Sequence, residues 1–358
     1  MADMSRWQPA SWGKPGRVMV VGRRGAGLDP DTHDVLARSG AEIVQAPYTA
    51  DGKVDWAAAG EADMIISGGN PMGPEEFAAI KRARFVLRPY VGYDDIDVDA
   101  ATDEGILVAN VPDTFIIEVA DHALTLLLAA QRKVLPMDKY VRGGTWADGG
   151  NARQDARPIR RLGTMTLGLV GFGNIARLVA ERAKPFGLRI IATDPFVDPK
   201  AAEGTGVTLV TMDELLAQSD IISVHVFLSK QTRGLISREH IAKMKPGVIF
   251  VNTARGPLVD EEALIEALKS GHIAMAGLDV MEIEPLPKAS ELNKLENVVL
   301  APHLASYSEE GAALHRIRVG DIAAGVASGR MPERKVVINK GLYDQLIGRA
   351  ELAAVPAS

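Results

Sequence analysis

The sequence predicts an α/β protein built from two doubly wound parallel sheets, and three observations carry that expectation. Short β-branched runs alternate with helix-like stretches, the alternation happens twice, and a polar Gly- and Arg-rich loop separates the two series. Length points the same way: 358 residues exceed what one hydrophobic core accommodates, so two domains of ordinary size are expected.

In the first series "RVMVV" (17–21), "EIVQ" (42–45), "MIIS" (64–67), "FVLR" (85–88) and "ILVAN" (106–110) read as buried strands. "EVADHALTLLLAAQRKV" (118–134) then reads as one continuous helix, with an apolar face wide enough to be buried on more than one side. It serves as a connector. After the loop at 142–161, six further strands are expected at 166–170, 188–193, 221–226, 248–252, 274–279 and 297–301. Asp260 is placed to cap the helix "EEALIEALKS", with Glu261 and Glu262 in its first turn, Lys269 near its end and Gly271 as the stop. A last helix near 308–328 leads to "KVVIN" (335–339), a strand-like piece without a slot in the second sheet, so the chain is expected to return to the first domain.

Composition excludes several function classes. Hydrophobic residues make up 47% and charged ones 24%, enough for full cores and too balanced for disorder. A net charge of −6 offers no basic field, so neither nucleic acid nor an anionic membrane is expected as a partner. The absence of cysteine removes disulfides, zinc ribbons and thiol nucleophiles, and no metal site is expected. The N-terminal "MADMSRWQPASWGKPG" lacks an apolar targeting core and reads as a loosely held arm, and no apolar run approaches membrane-spanning length, so a cytoplasmic location is expected.

The strongest local pattern is "TLGLVGFGNIARLVAERAKPFGLRIIATDP". A strand runs into Gly171, Gly173 and Ala176 at dinucleotide-fingerprint spacing and then into a helix. Gly171 permits the tight turn, Gly173 lets a pyrophosphate approach the backbone, and Ala176 lets helix pack on strand. Asp194 closes the next strand, where its carboxylate accepts hydrogen bonds from an adenosine ribose and repels a 2′-phosphate. NAD is therefore expected over NADP.

Ligands of such sheets lie beyond the carboxyl ends of the strands, and three of those ends carry unusual polar groups. Arg255 lies in the turn of "VNTARGPLVDEEAL", Asp279 and Glu284 follow the next strand in "GLDVMEIEPLP", and His303 follows the last in "APHLAS". Each alone has an ordinary explanation: a loop salt bridge, a helix cap, a solvated acid, a buried structural histidine. Together they can run hydride chemistry. Arg255 can hold a substrate carboxylate with two prongs, Glu284 can orient one imidazole nitrogen, and His303 can then exchange a proton through the other.

At these residues the chain resembles the D-isomer-specific 2-hydroxyacid dehydrogenase family, including its phosphoglycerate dehydrogenase-like and C-terminal-binding-protein-like branches. "GFGNIA", "VNTARGPLVDEEAL", "GLDVMEIEP", "APHLAS" and the 91–112 stretch "VGYDDIDVDAATDEGILVANVP" carry the resemblance, which covers roughly residues 60–340. It implies an NAD-binding Rossmann domain at 117–305, inserted into a flavodoxin-like substrate domain made of 1–116 plus 306–345. It implies Arg255, Glu284 and His303 as the catalytic set, with Asp279 beside the nicotinamide. Asn174 and Ile175 would meet the pyrophosphate, His225 and Val226 the adenosine, and Thr253 and Ala254 the nicotinamide side. A homodimer is implied, with Tyr90, Val91 and Gly92 in the loop whose amides bind the substrate carboxylate.

Tyr90 stands where relatives usually carry glycine, Phe227 replaces a frequent proline, and Ser306 replaces the aromatic residue of the corepressors. Two readings follow. One is an enzyme that reduces a 2-oxo acid with NADH or oxidises the (R)-2-hydroxy acid; the other is an NAD-dependent regulatory or binding protein on the same scaffold, like the corepressors. Retention of all three catalytic positions favours the enzyme, and Glu284 disfavours a formate dehydrogenase, whose relatives carry glutamine there.

Overall fold

A computed structural model describes residues 16–22 and 27–353 of the chain; the N-terminal arm read from 1–16 lies almost wholly outside the described residues. The described residues form two compact units, Met1–Thr114 with Glu309–Ser358, and Phe115–Ser308.

The first unit holds a five-stranded sheet of β1 (Arg17–Val21), β2 (Glu42–Gln45), β3 (Met64–Ser67), β4 (Phe85–Leu87) and β5 (Leu107–Ala109). Its order is β2-β1-β3-β4-β5 with every pair parallel, the flavodoxin-like doubly wound order. The two-residue period explains why these strands read as unbroken apolar runs. Met64 and Ile66 pack on one face with Val319, Ile322 and Ala323, and Ile65 packs on the other with Phe77 and Ile80. The helix Glu309–Ala327 lies so close to the helix Pro30–Ala37 that a Cβ on Gly320 would come 2.7 Å from Val35 Cβ.

"KVVIN" does return to this sheet, but not as a strand. It forms a 3-10 turn, Arg334–Val336, and a single antiparallel bridge from Val337 to Ala109. The Asn339 side chain takes the place of a longer ladder: its Oδ1 accepts from Val108 N at 2.9 Å and its Nδ2 donates to Ile106 O at 2.9 Å. A helix at Lys340–Ala353, not expected from the sequence, follows.

The second unit holds a seven-stranded parallel sheet: β6 (Thr166–Val170), β7 (Arg189–Thr193), β8 (Val207–Leu209), β9 (Ile221–Val224), β10 (Val248–Asn252), β11 (Ile273–Leu278) and β12 (Val298–Leu300). The order β12-β11-β10-β9-β6-β7-β8 reverses direction between β6 and β9, the Rossmann switch point, with one strand added beyond β11. Six strands were expected here and seven are found. The missed one, β8, is three residues long behind two left-handed glycines, Gly204 and Gly206, and offers no periodicity to read.

The helix expected at 118–134 is found at Ile116–Gln131, ending three residues early, and a second helix not expected from the sequence, Val134–Arg142, follows after Lys133 at φ 52°. Pro136 is the reason: in an unbroken helix its ring would strike the carbonyl of Arg132, whereas in the first turn of a new helix it is tolerated. The first of these helices buries Ala120, Ala123, Leu124, Leu126, Leu127 and Ala130. Gly277 on β11 allows that approach, since a Cβ there would lie 2.8 Å from Leu126 Cβ. The helix Glu261–Ser270 is capped by Asp260, which accepts from Ala263 N, and is stopped by Gly271 at φ 77°. Among the described residues no helix is long and apolar enough to cross a membrane.

Candidate functional site

All seven strands of the second unit run parallel, so one edge of the sheet collects every carboxyl end. Across that edge, in spatial order from β12 to β7, stand His303, then Asp279 and Glu284, Arg255, His225, the Gly171–Gly173 turn and Asp194.

Gly171 is at φ 89°, and a Cβ there would lie 2.9 Å from His225 O and 3.1 Å from Val226 Cγ2. Both the conformation and the close approach therefore require glycine, and His225 and Val226 are brought against the turn. Gly173 shows the opposite property: nothing lies within 4 Å of the position its Cβ would take. It leads into the helix Asn174–Ala183, whose N-terminus has no side-chain cap, so the amides of the first turn lack partners from that source. An open backbone beside an uncapped helix N-terminus fits a pyrophosphate. Asn174 is exposed and Ile175 half-buried at this end, while Ala176 is buried against the sheet.

Asp194 is bound to its own surroundings first. Its Oδ2 accepts from Phe172 N at 2.9 Å and its Oδ1 from Phe196 N at 3.0 Å. A carboxylate has further lone pairs, so those bonds fix its direction without exhausting it. His225 Nε2 lies 2.9 Å from Ser223 Oγ, and loss of hydration pushes its pKa down to about 4.

The turn after β10 is clipped by Asn252, whose Oδ1 accepts from Ala254 N at 3.0 Å and whose Nδ2 donates to Arg255 O at 2.9 Å. At Gly256 any Cβ would overlap the Met281 carbonyl, so this turn lies backbone to backbone on the loop that carries Glu284. Arg255 donates from Nη1 to Ala254 O at 2.8 Å. Thr253 is buried, and its Oγ1 has no hydrogen-bond partner among the described residues, a polar atom that an amide-bearing ligand would satisfy.

His303 Nδ1 lies 2.6 Å from Glu284 Oε2, and because a carboxylate only accepts, Nδ1 is the donor and Nε2 is left for other work. Glu284 Oε1 accepts from Met281 N at 3.0 Å. Partial burial pushes the Glu284 carboxyl up. The bond from His303, the Met281 amide and the charges of His303 and Arg255 outweigh it and hold the group below its usual value.

His303 itself is left-handed, at φ 55°, a conformation a non-glycine residue keeps only when its surroundings impose it. Asp279 imposes it. This aspartate, expected beside the cofactor, is fully buried and spends its carboxylate on the turn: Oδ1 accepts from Leu304 N and Oδ2 from Ala305 N, both at 2.8 Å. Its carbonyl accepts from His303 N at 2.8 Å, and its amide donates to Asn252 O at 3.0 Å. The ends of β10, β11 and β12 are thereby stitched together. His122, from the helix Ile116–Gln131, lies 3.4 Å from Asp279 Oδ1 and was not singled out from the sequence, since nothing local marks a helical histidine as the neighbour of a residue 157 positions away.

Tyr90, Val91 and Gly92 belong to the first unit, in the bend after β4. Their amides donate to no group among the described residues, whereas the carbonyls around them are held. Asn110 Nδ2 donates to Val91 O at 2.6 Å, Val111 N to Tyr90 O at 3.1 Å, and His315 Nε2 to Pro89 O at 3.0 Å. His315 Nδ1 in turn meets the Thr114 hydroxyl at 2.8 Å, and burial lowers its pKa, favouring the neutral ring. The Arg88 guanidinium lies 5.0 Å from the Tyr90 ring centre and donates to Ser67 O and Asp95 Oδ2. Tyr90 is thus folded over its own unit, 46% exposed. His315 escaped the sequence reading for the same reason as His122.

The family model described as "D-isomer specific 2-hydroxyacid dehydrogenase, NAD binding domain" matches residues 124–305. The chain belongs to that family. A glyoxylate reductase from Korarchaeum cryptofilum is 42% identical over 271 residues, covering 75% of this chain and 80% of the relative. A D-3-phosphoglycerate dehydrogenase from Mycobacterium leprae is 44% identical over 255 residues, 71% of this chain. The match spans only 47% of that relative's length. Among solved structures, a D-lactate dehydrogenase from Aquifex aeolicus complexed with NAD and lactic acid superposes with a TM-score of 0.72 at 28% identity, over 93% of this chain and 98% of that one. The family's Rossmann NAD-binding domain is the seven-stranded unit.

Proposed function

We propose that this chain is an NAD-dependent D-2-hydroxyacid dehydrogenase that reduces a 2-oxo acid, or oxidises the (R)-2-hydroxy acid, with Arg255, Glu284 and His303 as its catalytic residues. The 2.6 Å contact between Glu284 and His303 is the observation that carries it, because it leaves the second imidazole nitrogen to exchange a proton with a substrate oxygen. NADH, when bound, supplies the hydride that reduces C2. His303 delivers a proton to the oxygen in that direction and removes it in the other. Glu284 orients the ring and stabilises its charged form, and Arg255 pairs with the substrate carboxylate and polarises the carbonyl beside it. Asp279 is assigned to the nicotinamide side and, through the 303–305 turn, to the position of His303.

The cofactor assignment rests on the open Gly173 backbone, the uncapped helix at Asn174 and Ile175, the His225 and Val226 wall and the orphaned Thr253 hydroxyl beside Ala254. The unpartnered amides of Tyr90, Val91 and Gly92 support their assignment to the substrate. A homodimer is supported by Val134, Leu135, Val141 and Trp146, large apolar side chains left exposed on and just after one helix. The enzymes named among the relatives favour this reading over a corepressor-like binding protein. NADH oxidation, followed by absorbance against a panel of 2-oxo acids, tests it: turnover that depends on His303 supports the enzyme, and NADH binding without turnover of any 2-oxo acid supports the regulatory protein.

A further inference from the structure

The helix Ile116–Gln131 reaches the segment that carries His303 at two points one turn apart. Glu118 Oε1 accepts from the Ser308 hydroxyl at 2.8 Å. His122, four residues on and therefore on the same face, brings its Nε2 to 3.4 Å from Asp279 Oδ1. The packing beneath sets this register. Leu126 presses on Gly277, where a Cβ would come within 2.8 Å of its own. From that contact one turn of helix toward its N-terminus, about 6 Å, leads to His122, and two residues along the β11 strand direction, about 6.6 Å, lead to Asp279.

Burial turns this proximity into a constraint. The Asp279 side chain is fully buried, and His122 Nε2 is out of water with no polar contact besides Asp279 among the described residues. A lone pair on Nε2 would face a carboxylate with no solvent to relieve it, so Nε2 carries the hydrogen and Asp279 accepts. Oδ1 has the capacity for this: it takes Leu304 N and retains a further lone pair. A buried charge is costly until donors surround it, and His122 supplies a third donor beside the amides of Leu304 and Ala305.

We propose that His122 is a positioning residue for the dehydrogenase reaction assigned above, the reading on which this inference rests. His122 holds Asp279, and Asp279 holds the 303–305 turn that keeps His303 left-handed. His122 itself exchanges no proton with substrate. A residue at φ 55° moves to a commoner backbone conformation when its restraints slacken, and that motion carries the imidazole away from Glu284 and from the substrate oxygen. A displacement of about 1 Å is enough to cost a large share of the rate. The glycine turn assigned to the pyrophosphate follows β6, away from this contact, so the loss falls on turnover and spares NADH affinity.

Steady-state kinetics on the full chain test this, with the 2-oxo acid that the native protein turns over fastest in the panel described above and with saturating NADH. His122→Leu, which removes both ring nitrogens, should lower kcat about tenfold or more. KM for the 2-oxo acid and NADH affinity in fluorescence titration should stay within about threefold. His122→Gln returns an amide donor to the position of Nε2 and should recover kcat to within about threefold of native, at an unfolding temperature no higher than that of the Leu variant. In an Asp279→Ala background, where the acceptor is gone, adding His122→Leu should cost less than about twofold more. A His122→Leu variant with native kcat, a Gln variant no better than Leu, or losses at 122 and 279 that multiply in full overturns the proposal. If the native chain binds NADH and turns over none of the 2-oxo acids, the dehydrogenase reading fails and takes the proposal with it; native turnover with an indifferent His122 sinks the proposal alone.

Discussion

At the carboxyl ends of the seven-stranded sheet the side chains themselves are presented: a guanidinium from one strand end, a carboxylate from the next, an imidazole from the third. At the carboxyl ends of the five-stranded sheet the side chains are turned inward. Arg88, Asn110 and His315 donate to the carbonyls of Ser67, Val91 and Pro89, and what is left for a ligand is main-chain N–H. On the function proposed above, the same doubly wound architecture serves two chemical ends. Side chains carry charge and protons, so losses in the seven-stranded unit should fall on turnover. Backbone amides give shape and direction, so losses in the five-stranded unit should fall on substrate affinity.

The sharpest way to break this contrast is His303→Ala. It should lower the rate of 2-oxo acid reduction by roughly 10² to 10⁴, the usual size of an acid-base contribution, with NADH affinity in fluorescence titration largely intact. A near-normal rate would return His303 to a structural role. Arg255→Lys comes next: the charge remains but the planar fork is lost, so kcat/KM for the 2-oxo acid should fall by about a hundredfold. An unchanged value would place the carboxylate elsewhere.

His315→Leu probes the other sheet. Losing the donor to Pro89 O should raise KM for the 2-oxo acid about tenfold, leave kcat within about threefold and leave NADH affinity alone. His315→Gln, whose amide can donate to the same carbonyl, should recover most of the loss. A fall in kcat at unchanged KM would contradict the division of labour drawn above. Asp194→Ser should reduce a preference for NADH over NADPH that we expect to be at least about tenfold in the native chain. Equal affinities in the native protein would remove Asp194 from cofactor choice.

The smallest effect expected is a displacement along the pH axis. Glu284 lies below its usual value of 4.5, so its charge is fully present above that pH and is lost as pH falls through the lowered value. Across the neutral range it therefore supports the protonated ring. Glu284→Gln keeps a hydrogen-bond acceptor without that charge, so the alkaline limb of the reduction profile should move to lower pH; a limb that stays in place would show that Glu284 orients His303 without stabilising it.

Much of this was legible in the sequence wherever one rule dominated. Strands buried on both faces announce themselves as apolar runs, and β1, β3, β6 and β10 begin and end where those runs do. The catalytic candidates were legible because a parallel sheet collects its strand ends on one edge, so three separate motifs could be placed together before any contact was known. Legibility failed where the deciding contact was distant or irregular. Asp279 was expected beside the cofactor, but nothing local showed that its carboxylate also holds the amides of Leu304 and Ala305, in a turn 25 residues away. His315 reaches a carbonyl 226 residues earlier in the chain.

The outer edge of β5 carries a consequence for the birth of the protein. Four main-chain groups there are covered late: Ile106 O and Val108 N by the Asn339 side chain, Val108 O by Ile338 N, and Asn110 N by Val336 O. A strand edge left open invites pairing with another chain. During synthesis this edge emerges more than 220 residues before the segment that seals it, since Val108 and Asn339 are 231 positions apart. For that interval the nascent sheet is exposed to its neighbours on the polysome, and a ribosome that stops short of residue 336 releases a chain whose first sheet has an open seam.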